Sequence, residues 1–283
     1  MSTRSWLFVP GADAAAHRAA ARSGADVIIL ELEDFTPPEL RPKARALAAD
    51  ALELWRKAGA TTAVRINPLD SGGLEDLMGV LAARPEILMM SKVTSPEQVR
   101  SLEQATGSAV DLVPNIESAA ALVRTREIAA ASRRVRAMLV ASEDMVADLG
   151  TSRSRGGEEL AYVRARFLVD CRAAGVEAID CPYTFSDVKG AVADATWAKR
   201  LGYRMKCLVD PAHARAINAV FTPSKAETLK ARKIVAAFEK ARKAGKDRAK
   251  VDGALIEVPN YAAAKRLLES AAHKPPPRQK KRG

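Results

Sequence analysis

Charged and amide side chains recur where short apolar runs end in this 283-residue chain. Glu31, Glu33 and Asp34 follow "DVIIL". Arg65 and Asn67 close "TTAVRIN", and Lys92 closes "EILMMSK". Glu117 ends "AVDLVPNIE", and Glu143 and Asp144 follow "VRAMLVAS". Asp180 lies in "VEAIDCPY", and Lys206 and Asp210 lie in "RMKCLVDP". A lone carboxylate buried at a strand end costs several kcal/mol or takes up a proton. Several sharing one mouth repel one another unless a cation joins them. Oxygen-only ligands favour a hard cation, and one or two carboxylates completed by water and substrate suit Mg²⁺. Glu117 and Asp144 are the candidate metal ligands. The competing reading pairs them with Arg65 and Lys92 as a buried ion network.

Other chemistries find less support. His17, His213 and His273 lie in expected helices or the tail, none at a strand end, which argues against Zn²⁺ and reads as helix surface. No nucleophilic triad is visible, and G-x-G-x-x-G is absent. The Gly- and Arg-rich run "GTSRSRGGEE" (150–159) reads either as a connection or as a loop gripping an anion.

Elements must bring these residues together. Eight apolar runs occur, at 5–10, 26–33, 61–67, 86–92, 109–117, 135–142, 176–183 and 204–211. Their continuous hydrophobicity fits parallel strands covered on both faces. The intervening stretches, such as 13–23, 42–58, 118–130 and 158–174, are long enough for crossover helices. This is the pattern of an α/β protein with a (β/α)8 TIM barrel, which carries its chemistry where strands end. A doubly wound open sheet is the alternative. Beyond the eighth strand, a Pro-Ser start at 223–224 opens a long basic helix, Asp252-Gly253 marks a turn, and 260–271 reads as a short helix. The expected organisation is a barrel over 1–224, a C-terminal helical or lid segment over 225–270, and a disordered basic tail over 271–283.

The net charge of +11 is unevenly spread. Residues 1–224 carry 28 basic and 28 acidic residues, whereas residues 225–250 carry ten basic and three acidic ones. A neutral body with a basic appendage argues against nucleic-acid binding as the main function and reads as a solvated helix and tail. Cys171, Cys181 and Cys207 form no C-x-x-C pair, no apolar run approaches about 18 residues, and "SWLFVP" is too short for a signal peptide. A cytoplasmic protein with no membrane partner is expected.

These residues, in this order, resemble the citrate lyase β-subunit-like branch of the HpcH/HpaI aldolase superfamily, which includes malyl-CoA and citramalyl-CoA lyases. The resemblance spans about 4–270 and is carried by "RSWLFVPG", "DVIILELEDFTPPELRPKAR", "VRINPLDSGG", "PNIESAAAL", "ASEDMVADLG", "GVEAIDCPY" and "INAVFTPS". It implies a modified TIM barrel, assembled as a homotrimer or hexamer, with a C-terminal segment covering a neighbour's site. It implies Mg²⁺ on Glu117 and Asp144, and Arg65 binding substrate and stabilising an enolate. The implied reaction is reversible cleavage of a 3-hydroxyacyl thioester into a 2-oxo acid and an acyl-CoA. Glu257 stands where lyases of the family carry an acid/base aspartate. Phe8 and Lys43, with Arg4 and Arg45, are the candidate CoA contacts. Ala19 replaces a CoA-binding lysine, Ser91-Lys92 a Pro-Lys pair, and Met205-Lys206 and Asp210-Pro211 a Gly-Lys and a His-Pro. A metal-dependent aldolase acting on a free hydroxy-oxo acid, and a non-catalytic barrel with a basic interaction tail, are the alternatives.

Overall fold

The computed structural model describes residues 3–107 and 110–272. The first residue of the fifth apolar run, Ala109, and most of the expected tail, 273–283 with His273, lie outside the described residues. The chain divides into two compact units, Thr3–Phe221 and a second that begins at Thr222.

The first unit is a closed barrel of eight parallel strands in sequential order. They are β1 (Ser5–Pro10), β2 (Val27–Glu31), β3 (Thr61–Ile66), β4 (Ile87–Met90), β5 (Asp111–Ile116), β6 (Ala137–Val140), β7 (Glu177–Asp180) and β8 (Met205–Leu208). Pairing of Trp6 with Cys207 and Leu7 with Leu208 closes the ring and excludes the open sheet. Helices follow each strand: α1 (Ala14–Ser23), α2 (Arg41–Lys57), α3 (Leu74–Val80), α4 (Pro96–Thr106), α5 (Ala119–Leu122), α6 (Thr125–Ala129), α7 (Glu143–Asp148), α8 (Ala161–Ala174), α9 (Val188–Leu201) and α10 (Ala214–Phe221).

Strand alternation sorts the side chains into two cores. Trp6, Phe8, Val27, Ile29, Ala63, Met89, Val113, Leu139, Ile179, Met205 and Cys207 fill the barrel interior. The intervening residues, such as Leu30, Val64, Leu112 and Ile116, pack under the helices. The helix starts follow capping chemistry. Asp13 accepts from Ala15 and Ala16 at the start of α1, and Ser95 with Gln98 forms a capping box on α4. Close packing fixes Gly11 after β1: a Cβ there would lie 2.6 Å from the Glu31 carbonyl oxygen and 2.8 Å from Ala44 Cβ.

The same alternation corrects part of the sequence reading. Asp180 neighbours inward-facing Ile179, and Lys206 lies between inward-facing Met205 and Cys207, so both point away from the barrel mouth. They join Arg164 of α8 and Asp194 of α9 in a buried quartet. Arg164 meets Asp180 at 2.7 and 2.8 Å and Asp194 at 2.7 Å, and Lys206 meets Asp180 at 2.6 Å and Asp194 at 2.5 Å. Two cations balance two carboxylates, which is what charges without water require. His17 and His213 are also buried rather than on helix surfaces. Each bonds a backbone carbonyl, Pro10 at 3.1 Å and Ser186 at 3.2 Å, and burial pushes the His17 pKa down.

In the second unit, α11 (Lys225–Lys243) opens on a capping box of Ser224 and Glu227. A hairpin of β9 (Ala249–Val251) and β10 (Ala254–Ile256) turns at Asp252-Gly253, both with positive φ as a tight hairpin demands. The last helix, α12 (Val258–Ala272), starts earlier than its apolar pattern suggests and extends into the expected tail. It packs on α11 through stacked Phe238 and Tyr261, 4.8 Å apart. Among the described residues no helix is long and apolar enough to cross a membrane.

Candidate active site

Parallel strands end together, so the last inward residues of β2, β3 and β5 share one mouth. Glu31 is the last residue of β2 and pairs across the ladder with Arg65 of β3. Its carboxylate is fixed twice over. Oε1 accepts from Arg65 Nε at 2.9 Å and from the Glu33 amide at 2.6 Å, and Oε2 accepts from the Phe35 amide at 2.7 Å. Glu33 and Asp34 lie in the turn beyond β2. Arg65 Nη2 reaches Glu33 at 3.1 Å and Asp34 at 3.8 Å. The Phe8 ring, inside the barrel, lies 4.7 Å from the guanidinium and packs edge-on against Phe35. Arg65 is thus clamped from three sides. Burial favours its neutral form, but Glu31, Glu33, Glu117 and Asp34 outweigh that and hold it charged.

Lys92 follows β4 with φ of 53°, a left-handed conformation that few non-glycine residues adopt. The ammonium bonds Glu33 and lies 3.5 Å from Asp34. Glu117, one residue past β5, is 4% exposed; the Lys92 backbone amide lies near it, but neither carboxylate oxygen has a hydrogen-bond partner of good geometry. Its nearest cation is Arg65 Nη1 at 4.0 Å. Burial pushes its pKa up to about 8, with repulsion from Asp144 and Glu33 adding to the rise and Arg65 opposing it. Asp144 stands in the first turn of α7 rather than on β6, half-buried. Burial, then repulsion from Asp34, raises its pKa.

Among the described residues of the barrel unit, the mouth therefore holds five carboxylates (Glu31, Glu33, Asp34, Glu117 and Asp144) against two cations, Arg65 and Lys92. Arg65 and Lys92 make their short contacts with Glu31 and Glu33, and Arg65 Nη1 reaches Glu117 only as a long ion pair of 4.0 Å, so an ion network leaves the Glu117 carboxylate without a hydrogen bond. The residues present fit a hard cation: an unpartnered buried carboxylate with a second carboxylate close enough to repel it. No cluster of three or more His, Cys, Asp or Glu side chains among the described residues could hold a metal alone. Two protein carboxylates with water and substrate is the Mg²⁺ pattern.

The chain matches the family model "HpcH/HpaI aldolase/citrate lyase" over residues 4–211. It belongs to the HpcH/HpaI aldolase/citrate lyase family. Within that family it is 32% identical to the citrate lyase subunit beta of Haemophilus influenzae, over 95% of this chain and 96% of that protein. It is 27% identical to the mitochondrial citramalyl-CoA lyase of Rattus norvegicus, over 95% and 86% of the two chains. Among solved structures, CitE from Mycobacterium tuberculosis in complex with magnesium, acetoacetate and coenzyme A aligns with a TM-score of 0.77. That pair is 27% identical, covering 96% of this chain and 98% of that one.

Not every barrel residue nominated from the family pattern reaches the mouth. Arg4 precedes β1 at the opposite end of the barrel and grips Asp26 at 2.8 and 2.9 Å. Arg45 of α2 is engaged by Asp76 at 2.9 Å. Phe8 is buried beneath Arg65 rather than open to a ligand. Lys43 is exposed on α2, and its charge acts on Asp13 at the start of α1. Glu257 lies in the second unit, exposed, its amide donating to Asn260 Oδ1 at 2.9 Å. In the 150–159 loop Arg153 pairs with Glu159 at 2.6 Å, within the loop, and Arg155 pairs with Asp187, which ties the loop to the start of α9. Sequence reasoning saw Asn115 at the end of the fifth run but gave it no role; it lies two residues before Glu117 on the same inward face, its amide wholly buried with neither polar atom bonded. The signal was an amide in an otherwise apolar inner strand.

Proposed function

We propose that the protein is a Mg²⁺-dependent carbon–carbon lyase of 3-hydroxyacyl-CoA thioesters such as citramalyl-, malyl- or citryl-CoA, giving a 2-oxo acid and an acyl-CoA. The observation that carries this reading is the unbonded, buried Glu117 beside Arg65 in a mouth with excess negative charge. Glu117 and Asp144 are the residues that would hold the metal. Bound there, Mg²⁺ would supply a Lewis acid that polarises the oxygen of the reacting alcohol or ketone.

The chain's own residues supply the rest. Arg65, fixed by Glu31 and by the Phe8 ring, offers a preorganised cation to the acyl oxygen on which enolate charge develops as the bond breaks. Glu31 and Phe8 are positioning residues. Glu257 is the carboxylate assigned to proton transfer, and a homotrimer or hexamer would let it serve a neighbouring barrel. Lys43 is the remaining nominated CoA contact exposed to solvent.

The loss of Arg4 and Arg45 to ion pairs favours a second reading, an aldolase on a free hydroxy-oxo acid. Thermal unfolding with Mg²⁺, a 2-oxo acid and acetyl-CoA, singly and together, separates the two, because a ligand that binds the native state raises the midpoint. A shift that needs metal and grows with oxo acid and acetyl-CoA together supports the CoA lyase. A shift with oxo acid and none with acetyl-CoA selects the free-acid aldolase. No metal-dependent shift refutes both.

A further inference from the structure

Asn115 is 0% exposed, and neither its Nδ2 nor its Oδ1 has a hydrogen-bond partner. Val113 below it faces the barrel interior, and Leu112 and Ile116 beside it face the helices, so the amide shares the inner face with Glu117. Buried polar groups are rarely left unpaired, and a side chain with both atoms unpaired beside a charged mouth calls for a ligand. An amide presents a donor and an acceptor side by side. A carboxylate can only accept, and the mouth already has an excess of carboxylates over cations. A ketone can only accept. A hydroxyl is neutral and does both.

We infer that Asn115 binds the hydroxyl of the 3-hydroxyacyl substrate, Nδ2 donating to its oxygen and Oδ1 accepting its proton. This rests on the lyase reading and deepens it. Rotation about the C–O bond then presents the proton to the base. The ketone of the cleaved product satisfies Nδ2 alone, so Asn115 favours the hydroxy acid over the oxo acid.

The test is calorimetric titration at saturating Mg²⁺ with matched pairs: lactate and pyruvate, malate and oxaloacetate, glycolate and glyoxylate. Wild type is compared with Asn115→Leu, an apolar side chain of similar size. The expected result is that N115L weakens the hydroxy acid of the bound pair by roughly tenfold more than its oxo acid. Equal weakening of both, or of neither, overturns the inference while leaving the lyase reading intact. A wild type that binds no oxo acid with Mg²⁺ present refutes the lyase reading, and the inference with it. Should N115L not fold, Asn115→Val, a good strand former, carries the same comparison.

Discussion

Replacing Glu117 by Gln separates a metal site from a structural ion network through the sign of a stability change. In the metal-free protein the Glu117 pKa stands at about 8 against an ordinary 4.5, chiefly through burial. Between those values the native state keeps a proton that the unfolded chain has released, so stability falls as pH rises through that window. The full rise corresponds to roughly 5 kcal/mol of preference for the neutral form, an upper figure for what ionising Glu117 costs the fold. E117Q has no charge to bury. With chelator present, urea unfolding should find E117Q close to wild type at pH 5 and more stable than wild type by a few kcal/mol at pH 9. Adding Mg²⁺ at pH 9 should restore wild type and leave E117Q unmoved. An E117Q protein less stable than wild type across the whole range would mean that Glu117 works as a partner of Arg65, and the metal reading would fail.

Further outcomes follow from the same geometry. Asp144→Asn should abolish the Mg²⁺-dependent rise in unfolding midpoint while keeping the far-ultraviolet circular dichroism spectrum; a retained rise would remove Asp144 from the ligand set. Arg65→Lys keeps the charge but loses the planar fork held by Glu31, so kcat with Mg²⁺ and a hydroxyacyl-CoA should fall by about 100-fold or more. Near-normal turnover would take Arg65 out of the reaction. Asp180→Ala strips one carboxylate from a buried quartet and should cost about 3–5 kcal/mol in urea unfolding. The folded fraction should still respond to Mg²⁺, because the quartet faces away from the mouth.

The barrel was legible because eight apolar runs alternate with helical stretches of crossover length, and parallel strands buried on both faces carry that pattern. The position of Arg65 and Glu117 at the mouth was legible for a related reason: a charge where an apolar run stops has few places to go except the mouth. The facing of Asp180 and Lys206 was not legible. Runs hydrophobic on both faces conceal which residues point inward, and register decides it only once Ile179 and Cys207 are seen inside the barrel. Arg164 sits one turn into α8 and Asp194 at the middle of α9, where a helical charge reads as solvent-facing until its partners on β7 and β8 are placed. Arg4 stands before its strand rather than after it, and a residue at that position belongs to the opposite end of the barrel.

The Arg164–Asp180–Asp194–Lys206 quartet bears on how the chain can fold as it is synthesised. Its four members come from the last quarter of the barrel, and the final cation arrives only with residue 206. Until then Asp180 and Asp194 have one guanidinium between them, and β1 has no β8 to close against. A growing chain that stops short of β8 lacks both charge balance and ring closure, so the helices of this quarter have nothing firm to dock on. Native structure in the barrel should appear late and all at once. A fragment ending at residue 203 should show no cooperative unfolding transition, and a sharp one would argue that the earlier strands fold on their own.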